Sequence, residues 1–126
     1  MTDTAEKQPT CEERIGERLE DRLEQMRQYL LRLASDDEDE REEAYEEINE
    51  SYALSIETPN HGAIQVCLST GGPADDFFIE ADEGEIYGIE YRFQDWWDGA
   101  RRRLYGNDYT LAQEFFAYYL EPVLWQ

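Results

Sequence analysis

The chain switches between two hydrophobic periods, and the switches mark its elements. Ile15, Leu19, Leu23, Met26, Leu30 and Leu33 recur at spacings of 4, 4, 3, 4 and 3, which puts them on one stripe of a 3.6-residue helix. Thr10-Cys-Glu-Glu13, just ahead, has the S/T-x-x-E form of a capping box and predicts a helix running to about Ala34. Ser35-Asp-Asp-Glu38 offers a second such box, and early acids suit the positive end of a helix dipole. A second helix is therefore expected from near Asp36, anchored only by Ala44, Tyr45 and Ile48.

From Ser51 the period becomes two, the mark of half-buried strands. Tyr52, Leu54 and Ile56 alternate with Ala53, Ser55 and Glu57; Ile64, Val66 and Leu68 alternate with Gln65, Cys67 and Ser69. Turns are expected at Thr58-Pro-Asn-His-Gly62, Gly71-Gly72-Pro73 and Asp82-Glu83-Gly84, with strands at Phe77 to Ala81 and Ile86 to Phe93. In the last strand Tyr87, Ile89, Tyr91 and Phe93 are expected on one face, with Ile86, Gly88 and Glu90 on the other. Thr110-Leu-Ala-Gln113 resembles a third capping box, and Leu111, Phe115, Tyr118 or Tyr119, and Leu120 keep helical spacing until Pro122. The expected class is α+β: an N-terminal helix or helical hairpin over 11–50, a four-stranded antiparallel meander over 51–94 and a covering helix over 108–121. Residues 1–10 are expected to be a flexible N-terminus ahead of one domain, 11–126, which suits a length of 126 residues.

Charge changes this picture most. The chain holds 31 Asp and Glu against 11 Lys and Arg, a formal net charge of -20. A protein that grips phosphates must supply Lys and Arg, so direct binding of nucleic acid or of an anionic membrane is excluded and a basic protein is the expected partner. No apolar run is long enough to span a bilayer, and MTDTAEKQPT lacks the form of a secretory signal, which points to the cytoplasm of a host cell. Residues 1–35 carry acids and bases in near balance, with Arg14/Glu17, Arg18/Asp21 and Glu24/Arg27 at i,i+3 spacing. The stretch Asp36 to Glu50 carries ten acids and one base. Like charges at i,i+4, such as Glu38/Glu42, Asp39/Glu43, Glu42/Glu46 and Glu43/Glu47, oppose helix formation, so a structural role alone does not account for them.

No catalytic constellation emerges. Ser69-Thr-Gly-Gly-Pro73 is a turn rather than a phosphate cradle, because Pro73 removes a donor and a strand follows. His61 is the sole histidine and sits in a turn, with no nucleophile context around it. The acids lack the D-x-D-x-D-G order of a Ca²⁺ loop. Cys11 and Cys67 are expected as reduced thiols, and no cofactor or metal is expected. Of Trp96 and Trp97, one is expected in the core and the other exposed, and Arg101, Arg102 and Arg103 are candidates to neutralise the acidic helix. The candidate partner-binding residues are Asp36, Asp37, Glu38, Asp39, Glu40, Glu42, Glu43, Glu46, Glu47 and Glu50 of the acidic run. Asp75, Asp76, Asp82, Glu83, Glu85, Asp95 and Asp98, in turns or at polar strand positions, are expected to extend the same surface.

Leu68-Ser-Thr-Gly-Gly-Pro73, the aromatic hairpin Phe77-Phe-Ile79 with Tyr87 to Phe93, and Asp95-Trp-Trp-Asp98 together resemble small proteins of phages and other mobile elements, over residues 52–104. In size, charge and acidic helix the chain is also similar to DNA-mimicking anti-restriction and anti-CRISPR inhibitors. That resemblance implies a non-enzymatic inhibitor whose carboxylates occupy phosphate positions in the basic channel of a defence nuclease. The long, charge-balanced first helix departs from such a mimic and is a candidate for dimerisation or core packing. Alternatives are an acidic adaptor or immunity-type protein bound away from any nucleic-acid site, an enzyme using scattered carboxylates with a metal, and a generic acidic domain of a salt-adapted cell.

Overall fold

A computed structural model describes residues 9–125; the rest of the expected flexible N-terminus lies outside the described residues. The fold is α+β. Helix α1 (Cys11–Leu33) and helix α2 (Glu38–Ser51) precede strands β1 (Ser55–Asn60), β2 (Ala63–Ser69), β3 (Ala74–Asp82), β4 (Glu85–Asp95) and β5 (Asp98–Arg103). Helix α3 (Gly106–Tyr119) and the single turn α4 (Glu121–Leu124) complete it. All strands are antiparallel in the order β1-β2-β3-β4-β5. The sheet thus has five strands where the sequence suggested four. Asp-Gly-Ala-Arg-Arg-Arg shows no apolar alternation, and β5 forms as the edge partner of β4.

Helix α1 starts as its capping box requires. The Thr10 hydroxyl accepts from the Glu13 N–H at 3.2 Å, and the Glu13 carboxylate accepts from the Thr10 N–H at 2.8 Å. Its buried stripe is Cys11, Ile15, Leu19, Leu23, Met26 and Tyr29. Leu30 and Leu33, expected in that stripe, only flank the core, because Tyr29 turns its ring inward against Tyr52 and Phe115.

Helix α2 starts differently from expectation. The cap is Asp37, whose carboxylate accepts from the Asp39 N–H at 2.9 Å, while the Ser35 hydroxyl accepts from Asp37 N–H and donates to Glu40. Its last residue is followed by Tyr52, which is helical in φ,ψ and buried at the centre of an aromatic cluster, 4.8 Å from the Phe115 ring. Tyr52 therefore belongs to the helix end and not to the first strand. With it gone, β1 is an exposed edge strand, and Ile56 in it and Leu54 just ahead of it, both expected to be covered, face solvent.

One register shift reorganises the core face of β4. Glu80 pairs with Gly88 but Ala81 pairs with Ile86, so Tyr87 is the extra residue of a β-bulge. Ile86 accordingly joins Ile89, Tyr91 and Phe93 in the core, and Tyr87 is pushed out, the reverse of the alternation read from sequence. On the far face, the space left by Gly88 lets the Arg103 guanidinium cross β4 to Glu80; a β-carbon at 88 would collide with both groups.

Helix α3 covers the middle of the sheet through Phe116, 5.2 Å from Phe77. It begins at Gly106 with no side-chain cap. Thr110 lies one turn inside, where its hydroxyl donates to the Gly106 carbonyl at 3.1 Å, so the expected box at Thr110 does not form. Pro122 stands in the first turn of α4, immediately after the break at Leu120. No helix among the described residues is long and apolar enough to cross a membrane.

Candidate protein-interaction surface

The arginines of α1 decide which acids remain available. Instead of pairing along the helix, Arg14 reaches Asp95 at 2.7 Å and Arg22 forks onto Asp75 at 2.8 and 2.9 Å. Of the expected i,i+3 pairs only Glu24 with Arg27 forms. Arg14 and Arg18 stack over the Phe93 ring at 4.8 and 5.3 Å. A long charged helix is needed because its flanks clamp the sheet while its stripe fills the core.

Asp75 is the hub of that clamp. It is 7% exposed and accepts from Arg22, from the Ser69 hydroxyl at 2.5 Å and from the Tyr91 hydroxyl at 2.6 Å. Burial opposes its charge, but the bonds from Arg22, Ser69 and Tyr91 outweigh burial and hold its carboxyl below the usual carboxylate range. Burial, then the bond to Asp75, pushes the Tyr91 phenol well up.

These contacts engage four residues of the expected acidic surface, of which Asp98 stays exposed. Asp75 is in the interior. Asp76 lies on the open face of the sheet but is neutralised by Arg92 at 2.9 Å. Asp95 is held by Arg14, and Asp98 accepts the Cys11 N–H at 2.7 Å, serving the start of α1. That backbone bond leads the causes that lower the Asp98 carboxyl, whereas burial and then the Asp98 charge raise the Cys11 thiol. Asp82, Glu83 and Glu85 stay exposed around the β3–β4 turn, at the opposite end of the sheet from Asp95 and Asp98. There Glu83 and Gly84 both have positive φ, 51° and 83°, as a two-residue hairpin loop of the primed type demands.

Helix α2 keeps what the sheet loses. Only Ala44 and Ile48 are buried in it, and it packs on α1. Asp36, Asp37, Glu38, Asp39, Glu40, Glu42, Glu43, Glu46, Glu47 and Glu50 are all exposed. Among the described residues, the one ion pair reaching them is Arg32 with Glu47 at 2.7 Å. Arg41, the base within the run, turns away to donate to the Ser35 carbonyl. Arg102 and Arg103 pair with Glu12 and Glu80 and leave the acidic helix untouched, contrary to the expectation from sequence.

Other chemistry is sparse. Cys11 and Cys67 are free thiols, and His61 is exposed in its turn. No group of three or more His, Cys, Asp or Glu among the described residues is placed to hold a metal ion. The Arg22–Asp75 hub was missed in the sequence although its signal was present, since Asp75 has the same strand parity as Phe77 and Ile79. An acid at an inward strand position needs a buried partner. Comparison of the chain with protein-family profiles, with curated proteins and with solved structures finds no match.

Proposed function

We propose that the protein is a non-enzymatic inhibitor that lays α2 into the basic nucleic-acid channel of a host defence nuclease, of the anti-restriction or anti-CRISPR kind. One observation carries this reading: the arginines neutralise acids of α1 and the sheet, while the densest acids, on an exposed helix, meet an arginine only at Glu47. Successive turns of α2 repeat about every 5.4 Å, against one charge per roughly 1.7 Å along a DNA duplex. The helix therefore offers the sign and part of the layout of a phosphate track, at lower density. Such a surface speeds encounter with a basic channel and makes binding salt-sensitive.

The test is capture from the natural host's lysate by the immobilised full-length protein, at low and high salt, followed by elution with duplex DNA. Capture of a nucleic-acid-cleaving complex that both salt and DNA release supports the reading. A retained partner that DNA does not displace points to an adaptor binding elsewhere and overturns it.

A further inference from the structure

The β4–β5 hairpin ends in the most exposed large hydrophobic side chains among the described residues: Trp96 is 80% and Trp97 97% exposed. The expectation that one of them enters the core fails because the two residues form the whole loop between the last pair, Asp95 and Asp98. Trp96 has φ 58°, a left-handed conformation that is costly for any residue bearing a β-carbon and that Asn or Gly would adopt more readily. Neither solubility nor packing favours two indoles there. Uncompensated strain under an exposed aromatic is a reason to look for function.

The tip is also held firmly. Arg14 grips Asp95 at 2.7 Å, and Asp98 receives the Cys11 N–H at 2.7 Å and, at its carbonyl, the Cys11 thiol at 3.4 Å. Between the indoles and the start of α1 lies a groove of about 450 Å³. An aromatic pair on a held hairpin gives large contact area with few rotatable bonds and is typical of binding hot spots.

Charge selects the occupant. A chain of net charge -20 repels nucleic acid, anionic bilayers and a second copy of itself. We propose that Trp96 and Trp97 are a second anchor for the same basic partner that receives α2, entering an apolar pocket bordered by its Lys or Arg side chains. This rests on the function proposed above. Arg32 fixes α2 near the end of α1 remote from Cys11, so the two contacts lie about 30 Å apart along a rigid helix. A generic basic groove would accept α2 alone; the second anchor selects one partner.

The experiment places a photoreactive benzophenone side chain at Trp97 in one full-length protein and at Glu46 in another, both exposed positions, and irradiates each in host lysate. The expected result is an adduct from both positions to the same polypeptide, with the position-97 adduct at an apolar pocket flanked by bases. No adduct from position 97, or one to lipid, to a second copy or to a polypeptide not reached from position 46, overturns the second anchor. An adduct from 46 to a nucleic-acid channel alongside that failure leaves the proposed function standing, and an adduct from 97 alone overturns both. For the shared polypeptide, the double variant Trp96→Asn/Trp97→Gly should bind about 30-fold more weakly, the scale of a hot-spot loss, with an unchanged salt dependence. Unchanged affinity would also overturn the anchor.

Discussion

Helix α2 and the seam between α1 and the sheet are both rich in carboxylates, yet they treat them in opposite ways. Along the seam each acid has a job inside the molecule: Asp75 ties Arg22, Ser69 and Tyr91 together, Asp95 holds Arg14, and Asp98 supports the first turn of α1. On α2, Glu47 alone meets an arginine. Acid content is thus a poor guide to where an acidic protein is available for binding, and the distribution of arginine is a better one.

The comparison breaks most decisively at the seam. Asp75→Ala should destabilise the protein by about 3–5 kcal/mol, because it leaves Arg22 half-buried and uncompensated; urea unfolding measures it. A loss below about 1 kcal/mol would reduce the hub to an ordinary surface pair. The same pair sets a pH dependence. The Asp75 carboxyl titrates lower in the folded than in the unfolded chain, so its stabilisation is full above the unfolded value, about pH 4, and disappears as pH falls through the lower folded value. Unfolding followed by pH should show a steeper acid limb in the wild type than in Asp75→Asn, where Asp98, also lowered, still contributes.

At the hairpin the sign reverses. Trp96→Gly should raise stability by about 1 kcal/mol, since the left-handed φ costs roughly that much for a residue with a β-carbon and an indole 80% exposed loses little packing. A fall in the unfolding midpoint would mean that Trp96 holds the hairpin instead of being held by it.

On α2 the effect of each residue is smaller but equally directional. Replacing Asp39 by Asn and Glu42, Glu43 and Glu46 by Gln relieves like-charge pairs worth tenths of a kcal/mol each. Together they should raise stability by about 1 kcal/mol at low salt, with the gain fading in high salt. The smallest change is expected on the open sheet face, where Gly88→Ala must displace Arg103 from Glu80. Both side chains are flexible and partly exposed, so thermal unfolding should shift by no more than the equivalent of about 1 kcal/mol.

Sequence periodicity reached the elements that rest on local chemistry. The capping box at Thr10 and the stripe from Ile15 to Met26 delimit α1, and the turn residues locate the strands from β2 to β4. It failed where tertiary contacts decide. Nothing local in Asp-Gly-Ala-Arg-Arg-Arg announces β5, the bulge at Tyr87 arises from pairing with β3, and Tyr52 leaves its strand for the aromatic cluster. The acidic run was legible because it is contiguous. The fate of Asp75, Asp76, Asp95 and Asp98 was not, since each finds its partner only when distant segments meet, 53 residues away for Asp75 and 81 for Asp95.

The most direct measurement compares wild type with the Asp39→Asn/Glu42→Gln/Glu43→Gln/Glu46→Gln variant in the same capture from host lysate, with unfolding of both proteins followed in parallel. Binding through bare carboxylates predicts a variant at least as stable as the wild type that no longer retains the DNA-displaceable partner. A variant that folds and still retains it would contradict the assignment of α2 as the binding surface.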